Sequence, residues 1–217
     1  GSEKIKSSFT SNYTSANQGL SNNFITNYSS ENWGSITSLS ISKFGDIKMG
    51  ENRDHGFNNW GLTPLYSKNS RYSYYSQPST NADENVQKNT GYSQVDLFQK
   101  FLVKLGDTNL LNINIQFSES SDIDRFDQLS IKKGNSLKFS EWYYGPQKRL
   151  LISPSLKIFP NRKFMKKGVI TFGFQKINES RIKRKFNALN RSHQIEDLKV
   201  FSLNGDFDTS FNDDHSI

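Results

Sequence analysis

The residue types that most often do chemistry are sparse in this 217-residue chain. Cysteine is absent, which excludes disulfides, thiolate metal sites and thiol nucleophiles. The three histidines are His55, His193 and His215. They form no i, i+4 pair and no H-E-x-x-H pattern, so a zinc hydrolase is not expected. No phosphate-cradling glycine loop and no G-x-S-x-G nucleophile elbow occurs. Asp122, Asp124 and Asp127 cluster in one segment. A calcium loop needs a glycine for its sharp turn, and none stands there, so a solvated loop is favoured. No histidine or second acidic cluster joins them for acid–base work. The expectation is a chain that is not an enzyme, with no catalytic residue, no metal and no cofactor.

Binding is better supported than catalysis. Segment 46–91 carries Phe57, Trp60, Tyr66, Tyr72, Tyr74 and Tyr75, with His55 beside them. Segment 119–147 carries Trp142, Tyr143 and Tyr144. Flat rings with a polar handle suit planar chelates, haem or sugars. They also suit packing of one loop on another. His55 and His193 fall in expected loops, where a solvated histidine is the blander reading beside a haem or metal-chelate ligand. Arg181, Lys183, Arg184, Lys185 and Arg191, with Phe186, form a basic stretch. Its partners would be lipopolysaccharide phosphates or an acidic substrate, and the competing reading is a solvated charged loop. The formal charge of +7 also fits a nucleic-acid binder, but mixed charge in the loops and interior of a β-barrel fits the pattern better, so nucleic acid is not expected.

Composition points to what holds these residues. Hydrophobic residues make up only 33% of the chain and mean hydropathy is -0.73, yet there are 17 Phe, 9 Tyr and 3 Trp. That is poor in aliphatic residues for a soluble enzyme and too aromatic for a disordered chain. A transmembrane barrel satisfies both, because only alternate residues of its strands meet lipid. No apolar run approaches the roughly 18 residues of a membrane helix.

Period-two alternation predicts eight strands, near 4–15, 20–29, 33–45, 92–105, 109–118, 148–159, 168–178 and 196–211. The clearest pair sets Val95, Leu97, Phe101 and Val103 against Gln94, Asp96, Lys100 and Lys104. After the turn composition Gly106-Asp107-Thr108-Asn109 it resumes with Leu111, Ile113 and Ile115 against Asn112, Asn114 and Gln116. Val95, Leu97, Phe101, Val103, Leu111, Ile113 and Ile115 are therefore expected to face lipid. Tyr13, Tyr28, Trp33, Phe117 and Phe211 lie near strand ends with the parity of the apolar face, as an interfacial girdle would. Ordinary strand preference for aromatics is the competing explanation. Phe159 and Tyr92 have the opposite parity. Connections near 29–32, 106–109 and 160–167 are short, whereas those near 46–91, 119–147 and 179–195 are long; the first, Asn17 to Gly19, is short and breaks the alternation in length. Short turns at one end and long loops at the other is the outer-membrane arrangement.

Three segments carry a family resemblance. They are Phe44-Gly45-Asp46-Ile47-Lys48-Met49-Gly50, then the run from Asn89 to Lys100 with Thr90-Gly91-Tyr92 at its start, then Glu141-Trp142-Tyr143-Tyr144-Gly145-Pro146-Gln147-Lys148-Arg149. With Phe174-Gln175-Lys176-Ile177 they resemble, in order and spacing, the early barrel strands of TonB-dependent outer-membrane receptors. The likeness runs from about Ser7 to Phe211. It implies an all-β, antiparallel up-and-down transmembrane barrel of roughly 22 strands, of which this chain supplies about eight. It implies uptake of an iron chelate, haem, cobalamin or glycan. The implied partners are outer-membrane lipid and lipopolysaccharide, a plug domain, the TonB energy-transducing protein and a surface-exposed lipoprotein. The plug and the TonB box are missing from this chain, which is expected to be part of a larger receptor in a Gram-negative outer membrane. The alternatives are a small closed outer-membrane barrel acting as pore or adhesin, and a soluble all-β carbohydrate-binding module.

Overall fold

The computed structural model describes residues 3–160, 165–212 and 215–216. Its fold is an antiparallel meander. The principal strands are β1 (Lys4–Thr14), β2 (Gly19–Ser29), β3 (Trp33–Phe44), β4 (Tyr92–Leu105), β5 (Asn109–Ser120), β6 (Phe139–Tyr144), β7 (Lys148–Ile158), β8 (Met165–Lys185) and β9 (Ser192–Asn212). They pair in the order β1-β2-β3-β4-β5-β7-β8-β9, with β6 on the far end of β8. The two end strands, β1 and β9, do not pair with each other, so the sheet stays open among the described residues. The side chains of Phe211 and His215, and the turn around 161–164, lie outside the described residues.

Alternation locates the eight long strands, and pairing register decides what that alternation means. Phe9 lies opposite Phe24, Phe24 opposite Leu39, and Leu39 opposite Leu97. Leu97 lies opposite Phe117, Phe117 opposite Leu150, and the series ends in Ile152–Phe174 and Phe174–Phe201. Residues directly opposite in an antiparallel pair point to the same side. Every apolar stripe therefore falls on one face of the sheet, face A. A slip of one residue in any pairing would have broken the series. Val95, Leu97, Phe101, Val103, Leu111, Ile113 and Ile115 all belong to it. It is also well exposed: Phe9 keeps 66% and Leu203 74% of its surface.

Charge marks where face A stops. Lys43 on β3, Glu119 bonded to Lys148 at 2.7 Å across β5 and β7, and Lys176 opposite Lys199 form a row at one end. From that row to the other end, face A of the eight long strands carries no charged residue among the described residues. Some of its polar residues bond each other, as Ser7 with Thr26 at 2.6 Å and Thr37 with Gln99 at 2.5 Å. Face B carries Lys6, Asp96, Lys100, Arg149, Lys157 and Asp206 among serines, asparagines and glutamines. Side chains there bond across strands, as Asn23 to Ser40 at 2.7 Å, and along one strand, as Gln94 to Asp96 at 2.9 Å. Apolar residues such as Ile36, Phe98 and Leu102 interrupt face B, so the contrast there is of degree.

Connections confirm part of the expected asymmetry and correct the rest. Turns 30–32 and 106–108 are short, the latter helped by Gly106 at φ +68, a left-handed position that suits glycine. The segment from 45 to 91 is long and leaves the sheet at the opposite end. Asp46 pins its root, accepting hydrogen bonds from the Thr90 and Gly91 amides at 3.0 and 3.2 Å. The expected long loop at 179–195 does not exist. β8 and β9 instead continue as a paired ribbon up to Lys183–Ser192, leaving a turn at 186–191. The expected strands 168–178 and 196–211 were thus too short. Segment 119–147 is also not a plain loop. It holds helix α1 (Phe126–Leu129), a small hairpin and β6. β6 runs in the same row as β7, interrupted at Gly145-Pro146-Gln147, and pairs with the end of β8.

Candidate functional site

The buried core lies at this extended end, beyond the charged row. Leu129, Leu137, Phe139, Tyr143 and Ile182 are the buried hydrophobic residues among those described. Between them stands Glu141, with 1% of its side chain exposed. It accepts from Arg184 Nη2 at 2.7 Å and from Arg191 Nε at 2.5 Å, and Arg191 Nη2 adds a third bond at 2.8 Å. Burial alone would raise this carboxyl. The bonds from Arg191 and Arg184 outweigh that and hold it below the ordinary carboxylate range. Tyr74 lies over the Arg184 guanidinium at 4.4 Å, and Asn69 accepts from Arg184 at 3.3 Å. Ser67 bonds the Ser140 carbonyl. The long 45–91 segment is thereby fastened to β6 and β8.

The other side of the same ribbon continues face B. Trp142 pairs with Lys183, and Tyr144 with Arg181. Arg125 lies 5.6 Å from the Trp142 ring and 5.5 Å from the Tyr144 ring. Arg181 sits 5.7 Å from Tyr144 and Lys183 5.7 Å from Trp142. Cations and rings thus alternate up the ribbon, an arrangement whose exposed faces take anionic or polar ligands. Below it, face B lines an open trough of about 570 Å³ that includes Ser40, Asp96, Gln116, Arg149 and Glu179.

The structure separates the aromatic candidates. Trp142 and Tyr144 share the face-B ribbon, but they belong to β6 and not to a loop. Tyr143, on the opposite side, is buried against Ile182 and serves the core. Tyr74 packs on Arg184. Tyr66 is held in a two-residue pairing with Ser79. His55 and Trp60 meet edge to face at 5.6 Å, and Trp60 remains exposed. Tyr72 is almost fully exposed, and Tyr75 lies beside Lys68. His193 lies on β9 opposite Ile182, not in a loop. Tyr28 and Trp33 stack at 4.3 Å on face A by the short turn, whereas Tyr92 stacks on Phe44 at 5.0 Å on face B.

The acidic cluster is only in part the solvated loop that its sequence suggests: Asp127 is exposed, whereas Asp122 and Asp124 are partly buried. Asp127 is bonded to Arg125 and held well below the usual range. Asp124 pairs with Tyr143 at the edge of β6, and burial with added repulsion from Asp122 pushes its carboxyl up to about 7. No cluster of metal-ligating residues forms among the described residues. Sequence reasoning missed Glu141 as the residue that orders this end, and missed Arg125 and Lys138 as ring partners. Glu141 gives no local signal, because its two partners lie 43 and 50 positions away.

No protein-family model, curated protein or solved structure matches this chain.

Proposed function

We propose that this chain is a wall segment of an outer-membrane uptake receptor of the TonB-dependent kind. The observation that carries this reading is the single charge-free apolar face running through eight consecutive strands. In water such a face is an aggregation hazard, whereas in a bilayer it is the required surface. Strand length agrees: the shorter long strands have 11 or 12 residues, and a tilted crossing strand needs about 9–11. The charged row then lies at headgroup level, and the ribbon with its 45–91 cover stands outside the cell. Face B becomes the interior wall, against which a plug domain would rest.

Both open edges need partners, because unpaired backbone groups are costly in lipid. Further strands of a larger barrel supply them in this reading, which disfavours a small closed barrel. The receptor would take up a scarce nutrient such as an iron chelate, haem, cobalamin or glycan. It would draw on the TonB energy-transducing protein and, on the surface, a lipoprotein partner. Lipopolysaccharide would surround it.

Detergent dependence tests the membrane assignment. The chain should remain dispersed with β-type circular dichroism only in detergent micelles or lipid. A dispersed, folded monomer in plain buffer, by sedimentation and circular dichroism, would overturn the assignment.

A further inference from the structure

We infer that the tip of the β6–β8 ribbon is a binding site for a soluble ligand carrying two or more anionic oxygen groups. A cavity of about 350 Å³ opens there on the face-B side, between Lys138, Lys183 and Lys185; Arg184 also borders it but is paired with Glu141. Its wall is aromatic: Phe139 and Trp142 meet edge to face at 4.8 Å. Lys138 lies over Phe139 at 5.0 Å, and Lys183 over Trp142 at 5.7 Å. Asn190 and Ser192 add hydrogen-bonding groups to the rim.

No carboxylate lines this cavity. The acidic residues nearby are already engaged: Glu141 by Arg184 and Arg191, Asp127 by Arg125, and Glu179 by Arg181. Three ammonium groups therefore share one concavity with no counter-charge within ion-pair distance among the described residues. Their mutual repulsion falls when an anion enters, and the ring wall strengthens the field by excluding water. The neighbouring cavity of about 330 Å³ on the other side differs. Its Arg184 and Arg191 are answered by Glu141, which leaves Arg71 as its one cation outside an ion pair among the described residues, against three lysines at the ribbon tip.

The side on which the pocket opens decides between sources of the anion. Phosphate, sulfate and carboxylate groups share the needed chemistry, on a free molecule or on a lipid. The pocket continues face B, opposite the apolar face, so a dissolved ligand reaches it and a lipid headgroup does not. The soluble source rests on the membrane reading of face A, whereas the anion site itself does not.

Titration calorimetry of the full chain in neutral detergent, with inorganic tripolyphosphate as probe, tests it. Saturable binding is expected. The double variant K183Q/K185Q should weaken it by at least about tenfold, as loss of charge-assisted contacts does. K132Q/K133Q removes the same charge from the nearby small hairpin and should change affinity less than about twofold. Absence of saturable binding, or equal loss in both variants, would overturn the site. Binding of phosphatidic acid in mixed micelles without binding of free tripolyphosphate would overturn the soluble source. Detergent dependence is read separately, so failure here leaves the membrane assignment untouched.

Discussion

Phe101→Arg should destabilise the membrane-inserted chain by about 2–4 kcal/mol, while Lys100→Ala costs less than about 1 kcal/mol. The two residues are sequence neighbours on β4 and point to opposite faces. Phe101 lies between Ser35 and Ile113 on face A, in the charge-free band. A guanidinium placed there must be carried into hydrocarbon or must drag water and headgroups inward. Lys100 lies between Ile36 and Asn114 on face B, where an interior wall tolerates charge and its loss alike. Urea unfolding from lipid vesicles, followed by tryptophan fluorescence, gives both numbers. Equal costs for the two variants would remove Phe101 from the lipid face.

Glu141→Ala should be the most damaging substitution at the extended end, costing about 3–5 kcal/mol. It leaves Arg184, with 3% of its side chain exposed, as an uncompensated buried cation. The loss should be local, because the long strands below are held by their own ladders. Hydrogen exchange should accelerate at the amides of β6 and the upper part of β8, with little change in β1 to β3. Replacing Glu141, Arg184 and Arg191 together by methionine should recover much of the protection, since no buried charge then lacks a partner. Acid should imitate the single variant. The Glu141 carboxyl titrates below its ordinary value in the folded chain. Its contribution is therefore complete above the unfolded value near 4.5 and is lost as pH falls through the lower folded value. Unchanged exchange in Glu141→Ala would show that the ion cluster does not hold the ribbon together.

The wall of the sheet was legible in the sequence because its physics is local. Alternation of the Val95-Asp96-Leu97-Phe98 kind, punctuated by Gly106-Asp107, locates strands and turns without knowledge of their neighbours. That all eight stripes would meet on one face was not local, since it depends on eight registers agreeing. The extended end was misread for the same reason. Arg181 to Lys185 is so basic that it reads as a solvated loop, and Ile182 is its one aliphatic residue. Arg184 can be buried in a strand only because Glu141 is brought to it from another row of the sheet. Likewise Ser140 and Glu141 are buried polar residues inside β6, so that strand shows no alternation to read. Trp142, Tyr143 and Tyr144 carry a single expectation in the sequence, but side-chain direction splits them. Two joined the ribbon of rings and cations, and Tyr143 joined the core.

The most direct test of the proposed receptor wall is a two-face accessibility scan. Single nitroxide labels would replace residues along β4, at Val95, Leu97, Phe101 and Val103 on face A and at Gln94, Asp96, Lys100 and Lys104 on face B. Collision with oxygen, enriched in lipid, is compared with collision with a water-soluble nickel chelate in reconstituted bilayers. The expected result is strict alternation, with every face-A position favouring oxygen and every face-B position favouring the chelate. Chelate collision as strong at Leu97 and Phe101 as at Asp96 and Lys100 would contradict a membrane wall.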